Sequence, residues 1–399
     1  MSIALDEFEQ RRTRVLDACK DLQVEALVIF ANGSCFGLSG RSQGNMAFLC
    51  GWNSFDSPSA LILRSGKPPH LLVSHHRMKM MALETAPGLQ VDWIDQDSLG
   101  VGLRRILNQS EHSSRIGTCG WEDVIAKTWK NIETELGHIE QVDISSRIAR
   151  LRVVKSPAQL QMQREAARLC DGMFETLAKS TVTGRLTSAV KAEIECYAKQ
   201  QGAEFVQHWL SVGSPPDYPR YFPHENRQVP KHGDMLVYGI QILLDGVWGH
   251  AVRCYSVGPA QEKQKKVQDA VIDFSRRFRA RMKPGVKLNE IVQDSFRGMM
   301  DPVHQAIGPG KFEMLRLGHA MGYSYTEPEV SDPFPRSYYD LGQELARARE
   351  VTLEAGMVFQ IHPVFFYGDG VAGTGNMLEI QHDGAHAMTK FPEAIFELN

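Results

Sequence analysis

GDMLVYGIQILLDGVWGHAVRCYSVG, residues 233–258, reads as two apolar runs on either side of Asp245 and Gly246. An Asp-Gly pair accepts the left-handed backbone that a two-residue hairpin turn requires, so the stretch predicts strand, tight turn, strand. Upstream, Ser156-Pro157 supplies an N-cap followed by proline in the first helical turn. Leu160, Met162, Ala166, Leu169, Met173 and Leu177 then continue at helical spacing. A second helix is expected over 187–201 and a strand over EFVQHWLSVG from Glu204. Downstream the pattern gives helices near 262–282 and 288–307, then strands near 312–326, 356–366 and 376–381. Helices combined with antiparallel strands make this part of the chain α+β.

The first 150 residues read differently. A helix over 5–22 leads into VEALVIF from Val24, an apolar run of strand length that stops at Asn32-Gly33. Strand-like runs follow at Ser59, His70 and Gln90, then helices near 98–108 and 121–137. This alternation predicts a smaller α/β domain over 1–150 and an α+β domain over 151–399.

Composition excludes more than it identifies. The chain has 399 residues, 43% hydrophobic and 23% charged, with a formal net charge of −3. That balance creates no field suited to nucleic acid or a membrane surface. No run approaches the roughly 18 apolar residues of a membrane span, and the N-terminus lacks the apolar core of a secretion signal. A cytoplasmic location is expected. The seven cysteines are scattered without a C-x-x-C pair, as befits reduced thiols rather than a structural zinc site.

Five short segments follow one another in the chain: RVVKSPAQL from Arg152, GDMLVY from Gly233, GHAMG from Gly318, LEAGMVFQIHP from Leu353 and TKFP from Thr389. Their order resembles the creatinase/prolidase/aminopeptidase-P superfamily, with its pita-bread catalytic domain and smaller creatinase-like N-terminal domain. FLCGW from Phe48 is similar to a short element of the family's N-terminal domain. In its peptidases the resemblance implies two metals held by two Asp, one His and two Glu. Carried over one at a time, those positions fall on Gly239, His250, His319, His362 and Gly375, so only His319 keeps its family identity.

Bridging carboxylates make a close pair of cations tolerable, and their loss argues against a dinuclear centre. Three imidazoles suit one transition metal, Fe(II) or Zn(II). Flanking positions are expected to serve the substrate. Arg220 and His224 lie in the segment before the hairpin, Tyr325 follows the GHAMG element, and His208 and Trp209 sit on the strand from Glu204. Arg220 could grip a carboxylate with two prongs. By the resemblance, Arg41, Trp52, Phe55 and Asp56 stand where creatinase-like enzymes deliver loop residues to a neighbouring subunit, which implies a homodimer. Tyr238, His224 and Glu379 are the candidates for a general base.

The expectation is thus a metalloenzyme with one metal on His250, His319 and His362, acting on a small polar, amino-acid-like substrate. It would use metal-assisted C–N cleavage or iron–oxygen chemistry and would not be a dinuclear peptidase. Two alternatives stay open. A metal-free, creatinase-like C–N hydrolase would need an acid where Val252 stands. A binding protein reusing the fold would usually carry basic tails or insertions, which this sequence lacks.

Overall fold

A computed structural model describes residues 3–32, 42–54, 57–95, 98–107, 114–214, 216, 227–331, 333–334, 348–368 and 370–399. The chain forms two compact units. One comprises Met1–Val153 with Gly322–Thr326, the other Val154–Met321 with Glu327–Asn399.

The first unit is built on a mixed sheet of β1 (Ala26–Ala31), β2 (Ser59–Leu63), β3 (His70–Val73), β4 (Gln90–Trp93), β5 (Arg115–Cys119) and β6 (Glu140–Asp143). Their spatial order is β4-β3-β2-β1-β5-β6, with β1 parallel to β5 and antiparallel to β2. Helices α1 (Leu5–Ala18), α2 (Ser42–Cys50), α3 (His76–Thr85), α4 (Leu99–Leu107), α5 (Ala126–Leu136) and α6 (Ser145–Val153) surround it. Val28 and Phe30 of β1 pack with Leu103 and Ile106 of α4 and Ile132 and Leu136 of α5, so the apolar stripes of both helices close one core. Residues 322–326 are tied into this unit by buried arginines. Arg11 donates to the Phe48 carbonyl and the Tyr323 hydroxyl, and its guanidinium lies 4.8 Å from the Phe48 ring. Arg152 donates to Asn45 Oδ1 and, at 2.6 Å, to Ser324 Oγ.

The second unit opens with α7 (Pro157–Lys179), whose Ser156 and Gln159 form a reciprocal capping box. Then come α8 (Thr187–Gln200) and the long strands β7 (Phe205–Gly213), β8 (Met235–Leu244) and β9 (Val247–Val257). Asp245 and Gly246 take φ of 50° and 79° at the two-residue bend, the signature of the expected hairpin turn. β8 and β9 are buried on both faces, which is why they read as unbroken apolar runs. α7 covers one face, approaching so closely that a Cβ on Gly249 would stand 3.1 Å from Ala166.

After α9 (Glu262–Arg281), the helix expected over 288–307 is interrupted. It runs as α10 (Leu288–Asp294) and α11 (Asp301–Ile307) around a π turn in which Gly298 adopts φ 154°. The expected 312–326 strand is two short ones, β10 (Phe312–Met314) and β11 (Gly318–Ala320), and α12 (Pro328–Ser331) follows. The chain ends in β12 (Val358–Ile361), β13 (Val364–Tyr367), β14 (Gly370–Gly373), β15 (Asn376–Gln381), β16 (Gly384–Ala387) and β17 (Phe396–Leu398). These pair as β11-β12-β15-β16, β10-β13-β14 and β17-β9-β8-β7. Val252 of β9 bridges Gly375 just before β15, so the hairpin sheet and the β12 sheet meet at one point. Among the described residues no helix is long and apolar enough to cross a membrane.

Candidate metal centre

His250 comes from the middle of β9, His319 from β11 and His362 from the residue after β12. Ligand atoms of the three all lie within 4.8 Å of one another, and all three side chains are buried. The His250 and His319 rings stack at 5.7 Å and 12°, while His362 meets them edge-on at 5.2 Å and 5.6 Å. Nδ1 of His250 lies 2.6 Å from the Ile240 carbonyl and Nδ1 of His319 lies 3.2 Å from that of Ala320. A ring that gives its Nδ1 proton to a carbonyl presents the Nε2 lone pair, the tautomer a metal ligand needs. Nδ1 of His362 is buried with no hydrogen-bond partner among the described residues.

Burial makes these imidazoles poor bases. Desolvation pushes His250 down to about 4 and His319 and His362 well below the ordinary imidazole value; neighbouring histidines add to the last two shifts. Neutral imidazole is the metal-binding form, so the donors fit a transition metal. Together with His208, held near 3 by desolvation, they carry a pH consequence for the metal-free fold. In the unfolded chain each titrates near 6.5, so acidification loads protons onto the unfolded state first. Stability is complete above that value and is lost as pH falls below it, by up to ~1.4 kcal/mol per pH unit for each imidazole. Urea midpoints in EDTA should therefore drop between pH 7.5 and pH 5; a flat profile would contradict the burial of neutral histidines.

The other family ligand positions are occupied differently. A Cβ on Gly239 would stand 2.1 Å from the Trp209 ring, so the indole fills the space an aspartate would need. Trp209 is a buried wall residue packed with Val237, Val252 and Val364, and packing is the role the structure gives it. A Cβ on Gly375 would stand 2.9 Å from Gln360 Nε2. Glu379 is not available as a base, because Arg164 grips its carboxylate at 2.7 and 3.0 Å.

Strand alternation corrects two further expectations. Tyr238 packs against Phe174 of α7, and its hydroxyl lies 2.8 Å from His208 Nδ1. Gly249, one residue before His250, faces the same helix, so His250 points out of the opposite face. His208 and Tyr238 therefore lie on the helix side of the sheet, away from the histidine cluster. Trp52 is likewise a core residue, its indole N–H donating to Ser59 Oγ. Tyr325 lies within the 322–326 segment of the first unit. Arg41, Phe55, Asp56, Arg220 and His224 fall outside the described residues. Gln360, which the sequence did not single out, stands directly opposite His319 in the β11–β12 register. The signal was its place two residues before His362 on an alternating strand.

Comparison with known proteins agrees with this architecture. Residues 161–384 match the metallopeptidase family M24 and residues 11–154 match the creatinase/prolidase N-terminal domain. The Xaa-Pro dipeptidase of Pyrococcus furiosus is 24% identical over 290 residues, covering 71% of this chain and 75% of that one. Creatinase from a Bacillus species is 21% identical over 358 residues, 86% of this chain and 82% of its own. The crystal structure of prolidase from Pyrococcus horikoshii superposes with a TM-score of 0.75 at 19% identity, over 96% of this chain and 99% of that one.

These relatives overturn the expectation of an enzyme that is not a dinuclear peptidase, and none supports the iron–oxygen route. Substituted ligands do not by themselves fix a reaction. Ligand identity constrains which metal sits well, whereas the bond that is cleaved depends on the whole pocket. With a smaller creatinase-like N-terminal domain, a pita-bread α+β second domain and a family match spanning more than half of its length, this chain belongs to metallopeptidase family M24.

Proposed function

We propose that the chain is a metal-dependent hydrolase that cleaves the C–N bond of a small dipeptide-like substrate, using one divalent transition metal, zinc or ferrous iron, at His250, His319 and His362. The observation that carries the reading is the buried convergence of three imidazole donors within 4.8 Å. The Xaa-Pro dipeptidase and prolidase names of its relatives support the substrate class. A metal bound there would polarise a carbonyl and acidify water near neutral pH. The chain's own part is to hold the donors in one tautomer through Ile240 and Ala320 and to wall the centre with Trp209. Arg220 is assigned to the substrate carboxylate, His224 and Tyr325 to proton handling, and Arg41 and Phe55 to substrate contact in a cytoplasmic homodimer.

The test is metal analysis of full-length protein purified without oxygen and reconstituted with Zn(II), followed by assay on a panel of dipeptides that includes Xaa-Pro sequences. About one equivalent of metal and EDTA-sensitive turnover are expected. Failure to bind metal after reconstitution, or no turnover on any dipeptide, would overturn the reading.

A further inference from the structure

The wall of the histidine cluster holds a carboxamide that the fold does not use. Gln360 is 0% exposed, and among the described residues neither its Oε1 nor its Nε2 has a hydrogen-bond partner. Its position is fixed from three sides. It stands opposite His319 across the β11–β12 ladder, so the two side chains share a face. It lies two residues before His362, again on that face. Its Nε2 reaches to 2.9 Å from where a Cβ on Gly375 would be, beside Val252, two residues from His250. The amide thus shares a face with His319 and His362 and reaches toward β9, the strand that carries His250. Gln241 stands opposite His250 in the β8–β9 register and adds a second uncharged amide side chain to the same wall.

A buried amide left without partners costs stability, and such a cost is retained where something else supplies the missing bonds. Here that partner must offer an acceptor for Nε2–H and a donor for Oε1 at the edge of the metal centre. Carboxylates supply acceptors alone; an amide with an N–H supplies both. We propose that Gln360 is a specificity-determining residue that hydrogen-bonds an uncharged carboxamide of the substrate beside the histidine cluster. The inference deepens the functional reading above and rests on the cluster being the active centre. Gln360 would favour dipeptide-like substrates that carry a second, uncharged carboxamide, such as an Asn or Gln side chain, and would disfavour the corresponding Asp or Glu carboxylate in that place.

The test uses metal-free, full-length protein, so that it does not depend on activity. Propionamide and propionate, which differ only in carboxamide against carboxylate, serve as probes, with affinity read by calorimetry and fold stability by thermal unfolding. Wild type should bind the amide probe at least tenfold more tightly than the acid. Gln360→Met should lose that preference while unfolding at the same or a higher temperature, because an apolar chain of similar length replaces an unpartnered amide. Gln360→Asn, which keeps the amide on a shorter stem, should retain part of the preference. The proposal is overturned if wild type does not discriminate the probes, if Gln360→Met discriminates as well as wild type, or if Gln360→Met unfolds earlier or fails to fold. The last result would mark the amide as structural. Loss of metal binding or dipeptide turnover with probe discrimination intact would remove the functional reading alone, so the two failures are distinguishable.

Discussion

Replacing His362 with alanine should strip the metal from the protein while leaving the fold in place. His362 contributes one of three donors within 4.8 Å, and two buried imidazoles cannot complete a transition-metal site. Removing a mere hydrogen-bond partner of a ligand typically weakens metal binding by about 10- to 100-fold, so loss of a ligand should exceed ~100-fold. Dipeptide turnover should fall at least in proportion. The fold should tolerate the change because, among the described residues, Nδ1 of His362 has no hydrogen-bond partner to lose, and burial keeps the imidazole neutral, so no charge partner is stranded by its removal. Metal content by mass spectrometry, with thermal unfolding in EDTA, checks both halves. Retention of a full equivalent of metal would show that His362 is not a ligand.

The second large effect is structural. Arg253, 1% exposed on β9, spreads its guanidinium over the carbonyls of Val252, Gly375, Phe391 and Pro392 and the Asn376 side chain, at 2.7 to 3.1 Å. Its other face lies 5.2 Å from the Phe174 ring. Asp171 holds the same terminal segment from the opposite charge, accepting from the backbone N–H groups of Lys390 and Phe391. Only a planar, five-donor fork meets so many acceptors at once. Arg253→Lys keeps the charge and loses the fork, and should cost about 3–5 kcal/mol, because several buried acceptors would lose their donor at about 1–3 kcal/mol each. The denaturant midpoint should fall with an unchanged slope. A loss below about 1 kcal/mol would show that water or a neighbour replaces the guanidinium.

The most legible parts of the fold were those with local causes. The Asp245-Gly246 bend, the Ser156 cap and the unbroken apolar runs of β8 and β9 each follow from a few adjacent residues. β5 and β6 escaped notice because RIGTC and EQVD carry little apolar pattern; β5 is placed by parallel pairing with the distant β1. The 288–307 helix kept its periodicity across Gly298, whose backbone alone breaks it. At the site, spacing against a known family pointed to positions 250, 319 and 362. What stands around them was hidden, because Trp209 over Gly239 and Gln360 beside Gly375 are contacts across strands. His208 and Trp209 are adjacent in sequence, and only the pleat decides that one faces the helices and the other the cluster.

The tie between Arg11, Arg152 and residues 323–324 bears on how this protein can be taken apart. The N-terminal family match ends at residue 154, which invites a cut there. A fragment ending at that point would carry both buried guanidinium groups but would lack the Tyr323 and Ser324 hydroxyls that accept from them. The remaining fragment would carry those two residues as a loose thread with nothing to hold. Although its sequence reads as two consecutive modules, the chain is stitched twice. A single cut cannot yield two whole pieces, and modular exchange between relatives would have to move the 322–326 stitch along with the first 153 residues.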